Sequence, residues 1–328
     1  MLGRRTALAA LLMVLGGLTA PGPVGPSYAA TAATVGRPHV APVATPATAV
    51  RTGAARATRV AWVQGLRRSK VVTARLDGSD RVVLHSTPRG GYTNLALSPD
   101  RQRIAFNPGA GPVRLLVSRT DRRGTVDVLP GKHPLEAIGT IGWSRDGRWI
   151  YLEGFVDEPS KGMFYPSYLF RVRSTGGRLQ RGRRVGDGRD NGAVFGTIAD
   201  SPRGIVFPGE GRVLLLPTFG PRRAAVTLAR KAYHGRAATD GRTVLYRRVT
   251  ANGTFLLRRV RVSDGRSTTL HRTRDYADDW IEFAPGPDGR VLAVRSVAPD
   301  DGAQTLVLDP RTGRTRDVPF LRSYTVAW

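Results

Sequence analysis

A short phrase that returns along the chain constrains the fold more than any other feature of the sequence. SPDRQRIAF at residues 98–106 comes back as SRDGRWIYL at 144–152, TDGRTVLY at 239–246 and PDGRVLAV at 287–294. Each copy joins a polar turn to an apolar strand. The four turn aspartates are 46, 94 and 48 residues apart, and a weaker copy, SPRGIVF, divides the longest interval. A period of about 47 residues is typical of β-propeller blades.

A sixth copy is divided between the two ends of the sequence. The segment RVAWV at 59–63 matches the strand that follows the turn, and YTVAW at 324–328 matches the strand that precedes it. A second hairpin, with Gly and Asp in its turn, follows within most copies. The sequence therefore predicts an all-β, six-bladed β-propeller of four-stranded blades. Strand 324–328 is expected to join the N-terminal blade and close the ring, which removes two exposed sheet edges.

The Ser-Pro-Asp-Gly-x-x-Ile-Ala-Phe type of repeat resembles the TolB-like six-bladed propeller family, over residues 59–328. The same repeat type is found in the propellers of prolyl-oligopeptidase-like enzymes. The resemblance implies the fold and leaves the function open, because propellers serve many roles. No Gly-x-Ser-x-Gly nucleophile motif accompanies the repeats.

The N-terminal region indicates export. Arg4 and Arg5 precede an apolar run that is too short to span a bilayer, and small residues follow near Ala29, so residues 1–29 are predicted to be a signal peptide. An uncleaved anchor is the alternative. Residues 30–58, rich in Ala, Thr and Pro, are predicted to be a disordered linker before the propeller at 59–328. We therefore expect a secreted or extracytoplasmic, cell-envelope protein.

The chain is strongly basic and has no cysteine. Its net charge is +26, and all but four of its 51 basic residues are arginine. The charge predicts attraction to an anionic wall polymer or lipid surface, and the structural alternative is compositional bias. Specific nucleic-acid binding is disfavoured because the arginines are scattered and no aromatic nucleotide-binding motif is present. The lack of cysteine excludes disulfides and thiolate zinc sites.

Candidate ligand-binding residues lie in the loops that lead into the innermost strands. Those loops share one face of a propeller, over its channel, where polar side chains converge. An ordinary solvated loop surface is the alternative for each residue. The repeated aspartates are interpreted as turn-forming residues instead. The candidates are His133, Glu136, Asn191, Tyr233, His234, Tyr276, Asp278, Asp279 and Arg322.

The longest insertion, at 153–166, is predicted to be a loop that rises on the same face. Exposed aromatic residues in long loops are typical of binding elements, and folding back over the blade edge is the alternative. The predicted partner-binding residues are Phe155, Met163, Phe164 and Tyr165.

Two functions fit these features. The first is a non-catalytic module, expected to be a monomer, that binds a protein or peptide partner in the envelope. The second is a propeller enzyme or lectin-like module that acts on an anionic polysaccharide. No catalytic residue, metal site or cofactor is predicted, since no histidine has a metal-ligand spacing such as His-Glu-x-x-His.

Overall fold

A computed structural model describes ten segments of the chain. They are residues 59–65, 68–88, 91–109, 111–158, 165–187, 196–209, 211–273, 280–296, 303–323 and 325–328. The predicted signal peptide and linker lie outside the described residues, and so do six of the predicted site residues: Met163, Phe164, Asn191, Tyr276, Asp278 and Asp279.

Strands and turns make up the described residues, which group into four-stranded units. Unit 1 contains β1 (Arg59–Gln64), β2 (Ser69–Arg75), β3 (Val82–Thr87) and the C-terminal β24 (Val326–Ala327). Unit 2 contains β4 (Tyr92–Leu97), β5 (Arg103–Pro108), β6 (Leu116–Arg119) and β7 (Thr125–Asp127). Unit 3 contains β8 (Leu135–Trp143), β9 (Trp149–Val156), β10 (Ser167–Arg173) and β11 (Gln180–Gly186).

The remaining strands form three more units in chain order. Unit 4 contains β12 (Thr197–Ser201), β13 (Gly204–Gly209), β14 (Arg212–Leu216) and β15 (Val226–Arg230). Unit 5 contains β16 (Tyr233–Ala237), β17 (Thr243–Val249), β18 (Phe255–Arg261) and β19 (Ser267–Thr273). Unit 6 contains β20 (Trp280–Pro285), β21 (Val291–Ser296), β22 (Ala303–Leu308) and β23 (Thr315–Asp317).

Within each unit the strands pair antiparallel with their neighbours, as in a meander. The first strands of the units then contact one another in order, from β4 through β8, β12, β16 and β20 to β24, and β24 contacts β4. Parallel pairing of β8 with β12 and of β12 with β16 joins units 3, 4 and 5 into one sheet. We call the side with the turns that follow the first strands the lower face, and the opposite side the upper face.

The C-terminal strand completes unit 1, as the sequence predicted. Ala327 pairs with Ala61, and Val326 pairs with Trp62. The pairing is shorter than the predicted 324–328, because β24 covers two residues. Trp328 is buried beside Gly286, where a Cβ atom would lie 2.7 Å from the indole ring. The last strand therefore occupies in unit 1 the place that β4 occupies in unit 2.

The repeated aspartates hold the lower turns, which agrees with the turn interpretation. The Oδ1 atoms of Asp100 and Asp146 each accept a hydrogen bond from the backbone N–H two residues on, at 3.0 Å. Asp240 and Asp288 make the same bond, at 2.9 and 3.2 Å. These carboxylates thus satisfy backbone donors inside the bend.

Each sheet packs on both of its faces, so the core lies between neighbouring units. Phe106 of β5 packs with Leu84 and Ala61 of unit 1, whereas Ala105 packs with Trp143 of unit 3. Successive side chains of a strand point to opposite faces, so a strand buried on both sides reads as a continuous apolar run. Within the part of the chain that the structure describes, no helix has the length and apolar character needed to cross a bilayer.

The first strands β4, β8, β12, β16, β20 and β24 pack side by side and line one cavity, which we call the channel. Small residues allow the strands to come this close, since a Cβ atom on Gly142 would lie 1.7 Å from the carbonyl oxygen of Ile198. Close packing of β8 against β12 therefore narrows this cavity.

Candidate functional site

Polar side chains occupy the same register position in the first strand of each unit. In β4 this residue is Asn94, two residues before Ala96, which pairs with Ala105 of β5. The corresponding pairs in the other units place one residue each at the same height, in the upper half of the strand. We call the set the mouth ring: Asn94, Thr140, Thr197, His234, Glu282 and Thr325.

A buried carboxylate lies between units 2 and 3 beside the mouth ring. Glu153 of β9 accepts hydrogen bonds from Thr140 Oγ1 at 3.2 Å and Thr140 N at 3.5 Å. The Nδ2 atom of Asn94 donates to the carbonyl oxygen of Gly139. Gly139 has to be small, because a Cβ atom there would lie 2.7 Å from Glu153 Oε2 and 3.0 Å from the ring of Phe155. The network fixes the β8–β9 hairpin against unit 2.

A buried ion pair joins units 5 and 6 at the channel. Arg236 Nε donates to Glu282 Oε1 at 2.7 Å, and its Nη1 donates to the carbonyl oxygen of Gly196 at 2.9 Å. Both side chains are almost fully buried, with 1% and 6% of their surface exposed. Removing one partner of such a pair leaves an uncompensated buried charge, which costs about 3–5 kcal/mol. The pair is therefore a structural tie across three units.

The candidates Tyr233 and His234 lie in β16, where a loop was predicted. His234 has a φ of 50°, and its Nε2 lies 3.4 Å from Arg247 Nη2, which can only donate. Burial lowers the pKa of His234 to about 4, and the charges of Arg247 and Arg236 add to this effect. His234 is therefore neutral at pH 7. Tyr233 is exposed on the surface.

The other described candidates are held by local contacts. His133 uses both ring nitrogens, since Nε2 lies 3.2 Å from the carbonyl oxygen of Val113 and Nδ1 accepts from Leu135 N at 3.3 Å. It lines an open groove of about 540 Å³ made by residues 112–114, 127 and 129–133. Glu136 is an exposed residue of β8, where a loop was predicted. Arg322 lies 3.8 Å from Asp317 Oδ2. His133 and the mouth ring thus belong to different cavities.

A second histidine contact on the upper face was missed by the sequence analysis. His85 Nδ1 is hydrogen-bonded to the hydroxyl of Tyr92, and both rings pack edge-on or tilted against Phe106. Burial raises the pKa of Tyr92 to about 12. Burial also lowers the pKa of His85, and Arg114 adds to the effect. The pair is therefore neutral near pH 7 and joins units 1 and 2.

The predicted insertion is partly a strand. Strand β9 runs to Val156 and pairs with both β8 and β10, so Glu153 and Phe155 belong to the sheet. The prediction of a loop from residue 153 was wrong because the hairpin ladder of unit 3 continues further than the repeat implies. Tyr165 stands before β10 with 44% of its surface exposed.

A cluster on unit 3 anchors the first leg of this insertion. Tyr168 donates to Glu158 Oε1 at 2.6 Å, and Arg181 Nη2 donates to the same oxygen at 2.9 Å. The guanidinium of Arg181 lies 3.6 Å from the ring centroid of Tyr168. The hydrogen bond from Tyr168 is the main reason that the pKa of Glu158 is lowered. The insertion thus leaves the sheet from a fixed position.

Among the described residues, no group of three or more His, Asp or Glu side chains is arranged to hold a metal ion. The described titratable groups nearest the channel mouth, Glu153, His234 and Glu282, are engaged with neighbouring strands. These side chains therefore form a polar rim at the channel that is held by internal hydrogen bonds.

Comparison with known proteins supports the architecture. No family model matches the chain, and no curated protein matches it. TolB from Acinetobacter baumannii has a similar solved structure, with a TM-score of 0.60, 14% identity, and coverage of 82% of this chain and 66% of TolB. The chain thus spans slightly less than two thirds of that TolB.

Two further solved structures have the same architecture. A putative TolB from Agrobacterium tumefaciens gives a TM-score of 0.54, 17% identity and coverage of 77% and 89% of the two chains. An oligogalacturonate lyase in complex with manganese gives a TM-score of 0.52 and 13% identity, with coverage of 76% of this chain and 70% of the lyase. The chain is therefore a β-propeller. Its fold is TolB-like, and identities this low show the fold alone.

Proposed function

We propose that the protein is an exported, cell-envelope propeller that binds a protein or peptide partner and performs no catalysis. The observation that carries the proposal is the long hairpin of unit 3. Its strands β8 and β9 extend toward the upper face, with Phe155 half-buried in the sheet and Tyr165 exposed. Exposed aromatic side chains on a fixed support are the usual anchors of protein interfaces.

The proposal includes the organisation of the whole chain. Residues 1–29 are a signal peptide, 30–58 a linker and 59–328 a six-bladed ring that acts as a monomer. The cyclic order of contacts among the first strands and the pairing of β24 with β1 support a closed ring. The predicted upper-face residues, together with Met163 and Phe164, complete the binding surface.

Internal bonding at the channel mouth favours binding over catalysis. A general acid or base has to reach the proton that it transfers, at hydrogen-bond distance. Glu153 and Glu282 are buried against Thr140 and Arg236, and both ring nitrogens of His133 are held by the backbone. These groups therefore support the surface instead of meeting a substrate.

A site-specific cross-linking experiment tests the partner-binding hairpin. A photo-reactive phenylalanine analogue at position 165 should give one discrete cross-linked product in envelope extract. The same analogue at Val226, an equally exposed residue of β15, serves as the matched control. In a separate pull-down without the photo-reactive group, the Y165A variant should bind the same partner about tenfold more weakly. This is the effect of losing ~1.4 kcal/mol at an interface anchor. Equal cross-linking at 165 and 226, or none at 165, contradicts the proposal.

Binding to an anionic polysaccharide is the second candidate, and the net charge of +26 favours it. The solved lyase of the same fold acts as a precedent for the architecture only. Uronate polymers should then bind saturably and be cleaved or retained in moderate salt. Binding that disappears with salt and ignores polymer structure would reduce the interaction to bulk charge.

A further inference from the structure

Three arginines lie close together on one face of unit 5. Arg248 of β17 and Arg272 of β19 both pair with Leu256 of β18, one from each side. Arg258 is two residues further along β18, opposite Tyr246. Paired strands are about 4.8 Å apart, so Arg248 and Arg272 start about 10 Å apart in the same row. Arg258 is the diagonal neighbour of both.

Packing shows which way this face points. Val244, Tyr246 and Val260 of unit 5 pack with Val206 and Ala229 of unit 4. Residues two apart in a strand, and residues paired across strands, share a face. Arg248 and Arg258 therefore lie on the side of unit 5 that faces unit 4, and Arg272 lies there through its pairing with Leu256.

The three arginines lie toward the upper end of unit 5. Arg248 is near the end of β17, Leu256 near the start of β18 and Arg272 near the end of β19, all toward the upper face. The connection from β15 to β16 crosses from unit 4 to unit 5 on that side and contributes Lys231, which is exposed. We call Arg248, Arg258 and Arg272 the arginine triad.

Among the described residues the triad has no acidic partner, unlike many other arginines there. Arg75, Arg114 and Arg119, for example, each pair with an aspartate at 2.7–2.8 Å. Among the described residues, no ion pair involves the triad, and the Nε atoms of Arg248 and Arg258 are buried without a hydrogen-bond partner. Arg258 makes one long bond, from Nη2 to the carbonyl oxygen of Ser267 at 3.5 Å.

Like charges on neighbouring strands repel one another, so this arrangement is unfavourable without a counter-charge. Arg248 and Arg258 are half-buried and Arg272 is exposed, so the triad extends from the interior of unit 5 to its surface. Guanidinium presents a planar fork of donors that fits the oxygens of a carboxylate or phosphoryl group. The side chains from both sides of Leu256 are long enough to converge on one such group.

We propose that the arginine triad, on the face of unit 5 that packs toward unit 4, is a binding site for an oxyanion, the carboxylate or phosphoryl group of a larger ligand. Arg248 and Arg272 donate hydrogen bonds to the oxyanion from either side of Leu256, and Arg258 bounds the site toward the lower face. The site is independent of the unit 3 hairpin. Its test therefore does not depend on the partner-binding proposal.

Calorimetric titration of the full chain tests the site. Inorganic phosphate and galacturonate are added separately at an ionic strength held constant with sodium chloride, which distinguishes a phosphoryl from a carboxylate ligand. Saturable binding of at least one probe is expected. The double variant R248Q/R272Q should bind that probe at least about tenfold more weakly, because two charge-assisted contacts are lost.

Two further variants make the result specific. R122Q/R123Q removes the same charge from an exposed lower turn of unit 2 and should leave binding unchanged. R248K/R272K keeps the charge but not the forked geometry and should also weaken binding. The R248K/R272K variant keeps the test decisive if R248Q/R272Q unfolds. The proposal is overturned if neither probe binds saturably, if R248K/R272K binds like wild type, or if R122Q/R123Q loses as much affinity as R248Q/R272Q.

Discussion

The turn of unit 2 contains an arginine where three other units have glycine. Arg101 has a φ of 59°, and Gly147, Gly241 and Gly289 take φ values of 68°, 66° and 82° at the same place. This left-handed region is unfavourable for a residue with a Cβ atom. Both Nη atoms of Arg101 are buried without a hydrogen-bond partner among the described residues. We therefore expect R101G to stabilise the protein.

The size of the effect follows from two gains and two losses. Relief of the left-handed backbone is worth about 1 kcal/mol. Removal of a buried, unsatisfied polar group is worth about 1–3 kcal/mol. Two effects oppose these gains, since glycine adds about 0.5–1 kcal/mol of unfolded-state entropy, and the attraction of Arg101 to Asp288 and Asp240 is lost. We expect a net gain of about 1–2 kcal/mol.

Urea unfolding at pH 7 measures the change, as a higher midpoint with an unchanged slope. R101A removes the guanidinium but keeps the backbone strain. R101G should therefore exceed R101A by the strain relief of about 1 kcal/mol less the entropy cost of glycine, a net of about 0–0.5 kcal/mol. The control G289A introduces strain alone, because nothing lies within 4 Å of the added Cβ atom. An R101G variant less stable than wild type would refute the reasoning. It would mean that the attraction of Arg101 to the aspartates of units 5 and 6 outweighs its burial.

Three further predictions concern stability. R103A should lose about 2–3 kcal/mol in urea unfolding, since Arg103 bonds Ser174 Oγ at 2.9 Å and the carbonyl oxygen of Gly147 at 2.8 Å; no loss would contradict the tie between units 2 and 3. W328A should lose about 3–5 kcal/mol from the core between units 1 and 6, and a neutral result would contradict the docking of β24. His234 has a folded pKa of about 4, so the unfolded chain binds more protons below about pH 6.5. Stability should then fall by up to roughly 3 kcal/mol from pH 6.5 to 4, and H234N should flatten that profile.

Much of the fold could be predicted because its turns repeat. The repeated motif with its turn aspartate located the lower turns. The incomplete copies of the motif at residues 59–63 and 324–328 predicted the pairing that Trp62 makes with Val326. The sequence analysis placed Glu136 and Tyr233 in loops, because hydrophobic alternation weakens where register shifts interrupt the ladders of β8 and β16. Local pattern does not reveal how far a ladder extends.

The buried carboxylates were missed because their partners are distant in sequence. Glu153 was placed at the start of a loop, and Glu282 looks like an ordinary strand residue, until the register brings Thr140 and Arg236 beside them. A signal for Arg236 was nevertheless present. Its register position holds alanine or glycine in the five other units, at Ala96, Gly142, Ala199, Ala284 and Ala327. An arginine among five small residues marks a special position, as Arg101 does among the turn glycines.

The pairing of β24 with β1 has a consequence for the order of folding. Ala61 leaves the ribosome among the first described residues, and its partner Ala327 among the last. Units 2 to 5 can form their four strands as the chain lengthens, but unit 1 lacks its innermost strand until residues 326 and 327 have been made. An unpaired strand edge recruits other chains. The interval between emergence of β1 and arrival of β24 is therefore when this protein is most exposed to misassembly, and a slower final segment would lengthen that interval.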